Sequence, residues 1–170
     1  DTETNTGNAD GSAAFNYSAA LYCTTDPNPT PTITGTAGGT FTITAPGVIN
    51  ASTGQINIGS SGTGTFTITY TTGGSCSASS TVNVTISSGA NATISAAGPF
   101  CVNAAPVNLT AVDPGGTWSG TGITNATTGT FNPATAGVGT HTITYTIGGG
   151  CGATDTETIT VNALGNASFS

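Results

Sequence analysis

The chain has 170 residues, with seven acidic side chains, no Lys or Arg, and a formal charge of −7. A chain without cations cannot neutralise phosphates, so this composition excludes nucleic-acid binding and attraction to an anionic membrane surface. Membrane insertion is excluded as well, because no apolar run approaches the roughly 20 residues of a spanning helix. Instead, 38 Thr residues alternate with Ile, Val, Phe and Tyr, which is typical of strands whose wet faces carry hydroxyls.

Short alternating segments separated by turn signals follow one another along the chain and predict an all-β sandwich. The strands predicted in the first half are 13–18, 32–35, 40–44, 55–58, 65–71 and 80–86. Within 65–71, Phe66, Ile68 and Tyr70 share one face and Thr residues share the other. The matching strand of the second half carries His141, Ile143, Tyr145 and Ile147 on one face. Two separate cores are therefore expected, with Phe41 and Trp118 buried in them beside these inward-pointing side chains: Phe66, Ile68, Tyr70, Ile143 and Tyr145.

The two halves are copies of one unit. Residues 47–76 align without gaps on 122–151, at a displacement of 75 residues. The segment GGTF at 38–41 likewise matches GGTW at 115–118. Self-similarity at a fixed period is the mark of a repeat architecture. We therefore predict two tandem immunoglobulin-like β-sandwiches, at 10–88 and 89–163.

A longer period joins the two ends of the chain. Residues 1–16 match 155–170 with ten of sixteen positions identical, although Asn5 and Gly7 replace the apolar Ile159 and Val161. We interpret 1–9 as the last strand of a preceding repeat and 164–170 as the first strand of a following one. The chain is then one period of a covalent tandem array. The alternative is a fibre of separate subunits that complete each other's sheets by strand exchange.

The four cysteines are Cys23, Cys76, Cys101 and Cys151. None lies in a CxxC motif or near a His at zinc-ligand spacing, so paired disulfides in an oxidising extracellular compartment fit better than a metal. Cys23 corresponds to Cys101, and Cys76 to Cys151, in the two copies. Pairing that respects the copies predicts one disulfide within each unit, Cys23–Cys76 and Cys101–Cys151.

Catalytic and metal sites are not expected. His141 is the only His, and Phe66 occupies its position in the other copy, which indicates a packing site. Asp155 and Glu157 share a strand face and are interpreted as a solvated strand edge. Junctional calcium needs several oxygen ligands, but the junction 87–92 contains no acid. The sequence therefore predicts a protein that is not an enzyme and has no cofactor or metal.

Trp118 aligns with Phe41 just after a Gly-Gly turn, and a lone aromatic on a central sandwich strand is usually core. A sugar platform would need the indole exposed, so Trp118 is kept as a secondary candidate ligand platform. The Thr ladder of 65–71 suits a flat ice-binding face, but the solvent side of a strand explains it with fewer assumptions.

The order of motifs in the first unit is GGTF, GVINASTGQI, GTFTITYT and TVNVTI, with a Cys before the first and another after the third. This order resembles the immunoglobulin-like (PKD-like) tandem repeats of very large Bacteroidetes surface adhesins. Those proteins are typically exported by type IX secretion and include gliding-motility adhesins. The second unit, with GGTWSGTGITNATTGTFNP, is similar to a sister variant of the same repeats.

The resemblance implies an extracellular location, a stalk or adhesive role and no catalytic residues. The predicted function is therefore a structural repeat unit of a cell-surface fibre or adhesin stalk, whose partners are copies of itself placed end to end. The alternative is a binding module for a surface carbohydrate or protein. An exposed aromatic row or a concave polar pocket would favour that module.

Overall fold

The computed structural model describes residues 11–165. The chain divides into two compact units, and the boundary between them falls between Ser88 and Gly89. The end strands predicted over 1–9 and 164–170 lie outside the described residues, apart from Leu164 and Gly165.

The first unit is built around one long antiparallel hairpin. Its elements are β1 (Phe15–Asn16), β2 (Leu21–Cys23), β3 (Thr32–Ile33), β4 (Thr40–Ile43), α1 (Ile58–Ser61), β5 (Gly64–Thr71) and β6 (Ser79–Ser87). Four strands form a sheet in the order β2-β6-β5-β4, and β1 pairs with β3 in a second, smaller sheet. The edge strand β2 runs parallel to β6, whereas β4 and β5 are antiparallel.

The second unit repeats this plan. Its elements are β7 (Phe100–Cys101), β8 (Val107–Asn108), β9 (Thr117–Gly120), β10 (Ile123–Asn125), β11 (Thr130–Phe131), α2 (Pro133–Ala136), β12 (Gly139–Ile147) and β13 (Ala153–Asn162). The larger sheet has the order β7-β13-β12-β9, and the smaller has the order β10-β11-β8. Again the edge strand, β7, runs parallel to the last strand of the unit.

Both units therefore share an immunoglobulin-like arrangement. A Gly-Gly strand and the two arms of the long hairpin make up one sheet, in the order β4-β5-β6 and β9-β12-β13. This is the C-F-G order of immunoglobulin sandwiches. The short edge strands β2 and β7 extend these larger sheets, and the other short strands form the second sheet of each unit. The predicted all-β, immunoglobulin-like fold class is confirmed.

Each unit has its own hydrophobic core, as the alternation predicts. The first cluster contains Phe41, Phe66, Ile68 and Tyr70, and the second contains Trp118, Phe131, Ile143, Tyr145 and Ile159. Strand side chains alternate between faces, so these residues lie on the inner face and the Thr residues between them lie on the other. The predicted inward face of both hairpins is confirmed.

The strand predicted over 55–58 is wrong. Only an isolated bridge joins Ile49 to Ile56, and a single helical turn, α1, begins at Ile58. The Asn57 side chain accepts a hydrogen bond from the Ser60 amide at 3.0 Å and so caps that turn. Asn132 caps α2 in the same way, and its side chain accepts from the Ala134 amide at 3.0 Å. A side chain that satisfies these amides locally favours the turn over continued strand pairing.

Candidate functional site

The cysteines of the first unit lie at opposite ends of its larger sheet. Cys23 is the last residue of β2 and stands beside Ser87, the last residue of β6. Cys76 lies in the loop that precedes β6, which starts at Ser79. A nine-residue strand such as β6 spans about 26 Å at about 3.3 Å per residue. A disulfide needs its two Cα atoms within about 7 Å, so Cys23 and Cys76 cannot bond to each other.

The second unit has the same arrangement. Cys101 is the last residue of β7 and stands beside Asn162, the last residue of β13. Cys151 lies in the loop before Ala153, where β13 begins. The ten residues of β13 span about 30 Å at about 3.3 Å per residue, which again excludes a bond between the two cysteines of one unit.

The oxidation states agree with this geometry. Cys23 and Cys151 are disulfide-bonded, whereas Cys76 and Cys101 carry free, exposed thiols. The predicted pairs Cys23–Cys76 and Cys101–Cys151, and with them one disulfide within each unit, are therefore wrong. The repeat correctly identifies which cysteines are equivalent. It does not reveal that each unit separates its own two cysteines by the length of a strand.

The ends of each sandwich can be named by the path of the chain. At the entry pole, where the chain enters the unit, the loop of the long hairpin contacts the first segment of that unit. The Ala90 amide donates to the Cys151 carbonyl at 2.8 Å, and Gly11 packs against the Cys76 carbonyl so closely that a Cβ there would lie 3.0 Å from its oxygen. Cys76 and Cys151 are accordingly the entry cysteines.

At the exit pole, the last strand of the unit ends beside the edge strand. The Thr24 amide donates to the Ser87 carbonyl at 2.9 Å, and the Val102 amide donates to the Asn162 carbonyl at 2.9 Å. Cys23 and Cys101 directly precede these donors and are the exit cysteines. Each unit therefore presents one cysteine at each pole.

Trp118 is buried, as is its counterpart Phe41, and both predicted burials are confirmed. Only 4% of the Trp118 surface is exposed, and its ring centroid lies 4.4 Å from that of Tyr145. Gly129 covers the indole so closely that a Cβ at that position would lie 2.8 Å from Nε1. The secondary hypothesis that Trp118 is an exposed ligand platform therefore does not match the structure, because neither face of the indole ring is exposed to solvent.

A shallow cavity of about 230 Å³ lies beside the edge of Trp118. Two of its polar lining residues, Tyr145 and Asp113, are already hydrogen-bonded within the fold. The Tyr145 hydroxyl donates to the Asp113 carbonyl at 2.9 Å and accepts from the Gly116 amide at 2.8 Å. The Asp113 carboxylate accepts from the Asn91 amide at 2.7 Å. These contacts stabilise the loop before β9.

Two further titratable side chains, His141 and Asp155, also have structural partners. The His141 Nε2 atom lies 2.9 Å from the Gly137 carbonyl oxygen, at the end of α2. Asp155 is not merely a solvated strand residue, because its Oδ2 atom accepts from the Ile94 amide at 2.8 Å. In the first unit the equivalent residue, Ser80, donates to the Ala13 carbonyl. In both copies this position ties the first segment of the unit to its last strand.

Residues 11–165 contain no cluster of three or more His, Cys, Asp or Glu side chains that could hold a metal ion. Over the same residues, no helix has the length and apolar character needed to cross a membrane.

Comparison with known proteins assigns the chain to no family. No family model and no curated protein matches the chain. Among solved structures, it is similar to the protocadherin gamma B4 extracellular domain, with 15% identity, a TM-score of 0.39 and coverage of 91% of this chain and 34% of that one. Extracellular cadherin domains 1–5 of protocadherin gamma B2 are 13% identical, with a TM-score of 0.40 and coverage of 94% of this chain and 41% of that one. Mouse cadherin-23 EC22-24 is 16% identical, with a TM-score of 0.36 and coverage of 91% of this chain and 65% of that one. The chain thus spans less than two thirds of the length of these structures.

Proposed function

We propose that the chain is a structural element of an extracellular fibre or adhesin stalk, in which sandwich units follow one another in a tandem array. One observation carries the proposal: in each unit the chain enters at one pole and leaves at the other. The last strands, β6 and β13, run from the entry pole to the exit pole over about 26 and 30 Å at about 3.3 Å per residue. Joining such units in series adds length with each unit.

The sequence repeat supports the tandem order. The larger sheets of the two units share one strand order, and residues 155–170 return to the sequence of 1–16. Repeat proteins use one supersecondary unit many times, so that length grows by duplication. The resemblance to Bacteroidetes surface repeats agrees with this role and suggests a cell-surface location.

The chemistry of the side chains supports an extracellular, non-enzymatic role. Cys23 and Cys151 are oxidised, and disulfides persist mainly in oxidising compartments. The side chain of His141 contacts a backbone carbonyl, and those of Asp113 and Asp155 accept from backbone amides, so all three act in the fold. The absence of Lys and Arg removes every trypsin site, which suits a surface exposed to proteases.

The second candidate function is a carbohydrate- or protein-binding module. The observation that favours it is the cavity of about 230 Å³ beside Trp118. It is weaker because the hydroxyl of Tyr145 and the carboxylate of Asp113 are already satisfied within the fold.

Solution scattering on chains of one, two and three copies, joined at the period of 154 residues, tests the structural role. Each extra copy adds residues 1–154 before a final 1–170. We expect the maximum dimension to increase in proportion to the number of copies. A dimension that stays nearly constant would contradict the stalk. Saturable binding on a glycan array, lost on substituting Thr127 and Thr128 of the cavity lining, would favour the binding module instead.

A further inference from the structure

We propose that the two free cysteines link successive copies of this chain: Cys101 of one copy forms a disulfide with Cys76 of the copy that follows. The inference rests on the tandem order of the proposed function and adds covalent bonds between the repeats. It names a modification site, the two thiols, and a single partner, a second copy of the same chain.

The position of each thiol within its unit is the first step. Cys101 ends β7 at the exit pole of the second unit, beside Asn162. Cys76 lies in the hairpin loop at the entry pole of the first unit, against Gly11. In a head-to-tail order, the exit pole of one copy faces the entry pole of the next. Both residues are exposed, so a thiol at either pole is open to a partner.

The internal repeat supplies the second, independent observation. The two oxidised residues comprise one exit cysteine, Cys23, and one entry cysteine, Cys151. The two free residues comprise the other exit cysteine, Cys101, and the other entry cysteine, Cys76. An exit cysteine precedes each transition to a new unit, and an entry cysteine follows it. Cys101 precedes a transition whose entry cysteine belongs to the following copy, which accounts for its free state in a single copy.

The bond forms by thiol–disulfide exchange with a small-molecule disulfide such as oxidised glutathione. The Cys101 thiolate attacks one sulfur of the oxidant and releases one glutathione thiolate, which takes up a proton. The Cys76 thiolate of the following copy then attacks the Cys101 sulfur and releases the second glutathione. Two protein thiols are oxidised to one disulfide, and the oxidant is reduced by two electrons to two thiols.

A disulfide at each transition between copies would oppose separation of neighbouring units under tension. Cross-links also restrict the unfolded chain, so the array would resist unfolding more than its isolated units. This property suits a stalk that carries load outside the cell.

The test uses a two-copy chain, residues 1–154 followed by 1–170, with its four counterparts of Cys76 and Cys101 reduced at the start. Tethering raises the effective concentration of the two inner thiols into the millimolar range. After oxidation with glutathione disulfide, we expect the monomeric two-copy chain to lose two of its four free thiols. Replacing only the inner pair, Cys101→Ser in the first copy and Cys76→Ser in the second, should abolish that loss.

The cross-link is identified by cleavage after aromatic residues, because the chain has no trypsin sites. Cys76 then lies in the peptide 71–100 and Cys101 in the peptide 101–118, separate from the peptides of Cys23 and Cys151. The proposal expects these two peptides to be linked in the two-copy chain. In the single-copy chain, the two peptides should be linked only in disulfide-bonded multimers. Cys76→Ser or Cys101→Ser leaves one free thiol in each chain, so disulfide-bonded species should then not exceed dimers.

Two results would overturn the proposal. One is that the inner thiols of the two-copy chain stay reduced in the glutathione buffer. The other is that 71–100 and 101–118 are linked within a monomer of the single-copy chain. If scattering still shows length proportional to copy number, the stalk function stands and only the cross-link fails. If it does not, the function itself fails, whatever the thiols do.

Discussion

At the residue scale, a glycine in each Gly-Gly turn lets a tyrosine close the core. A Cβ at Gly39 would lie 2.7 Å from the Tyr70 ring, and a Cβ at Gly116 would lie 2.6 Å from the Tyr145 ring. These tyrosines also bind the turn, because the Gly39 and Gly116 amides donate to their hydroxyls at 2.9 and 2.8 Å. The sequence repeat GGTF and GGTW therefore reflects a packing requirement that is the same in both units.

Gly116→Ala should destabilise the second unit by about 1–3 kcal/mol, because the added methyl overpacks the site against the Tyr145 ring. Urea unfolding followed by the fluorescence of Trp118, the only Trp in the sequence, measures this loss of stability in the second unit, which contains Gly116. Gly148→Ala is the matched control, because a Cβ there meets nothing within 4 Å. Equal midpoints for the two variants would contradict this account of the Gly-Gly turn.

Tyr17 provides a prediction on alkaline stability. Its hydroxyl donates to the Gly54 carbonyl at 2.5 Å, and burial raises its pKa, with a smaller contribution from Tyr22. The unfolded chain ionises near pH 10, whereas the folded chain holds the proton to higher pH. The stability from Tyr17 is therefore fully present below about pH 10 and is lost as the pH rises toward the folded pKa.

Tyr17→Phe should cost about 1 kcal/mol at pH 7, because it removes one buried hydrogen bond. The variant cannot ionise at this position, so its unfolding free energy should fall less steeply than that of the parent chain above pH 10. Urea midpoints measured between pH 7 and 11 compare the two slopes. Parallel curves over that range would show that Tyr17 does not contribute to alkaline unfolding.

At the element scale, the long hairpins carry the fold, and short strands pair with them over two to four residues. Cross-strand hydrogen bonds between polar side chains line the outer face of the first hairpin, such as Thr65 with Thr85 at 3.0 Å and Thr67 with Asn83 at 2.9 Å. These pairs explain the Thr ladder as surface stabilisation of the hairpin. The first segment of the second unit is joined to β13 through the carboxylate of Asp155, which accepts from the Ile94 amide.

Asp155→Ala should lower the stability of the second unit by about 1.5–3 kcal/mol, because the Ile94 amide loses a charged acceptor. Glu157→Ala, on the same face of β13, is the control and should have a smaller effect. Amide hydrogen exchange of Ile94 measures the local effect directly. Unchanged protection of that amide in Asp155→Ala would show that the contact does not hold the segment.

At the scale of the whole molecule, a covalent array and a strand-exchanged fibre differ in the mass of a single polypeptide. A covalent array is one long polypeptide, whereas strand exchange would join chains of 16.3 kDa. The period of 154 residues favours the array, because 1–16 and 155–170 are two copies of one stretch and not a donor and an acceptor. Denaturing electrophoresis of native material under reducing conditions should therefore give a very large species. A band near 16 kDa would instead support separate subunits.

Much of the fold could be predicted because its signals are local. The alternation in 65–71 predicts which side chains of β5 are buried, and the repeat transfers that prediction to β12. The turn at α1 was missed, since a capping Asn within an apolar run resembles the end of a strand. The edge strand β2 was missed as well, because three residues without alternation carry no periodic signal and its partner lies more than sixty residues away in sequence.

The sequence by itself determined that the protein consists of two equivalent β-sandwiches with separate cores, because periodicity and self-similarity are properties of the linear chain. Only the tertiary structure decided where the cysteines lie. The parallel pairing of β2 with β6, and of β7 with β13, carries one cysteine of each unit to the exit pole, while the hairpin loop holds the other at the entry pole. The equivalence of cysteines between the two copies does not determine the distance between the two cysteines of one unit. The length of a strand therefore excludes the bonds that the repeat alone suggested.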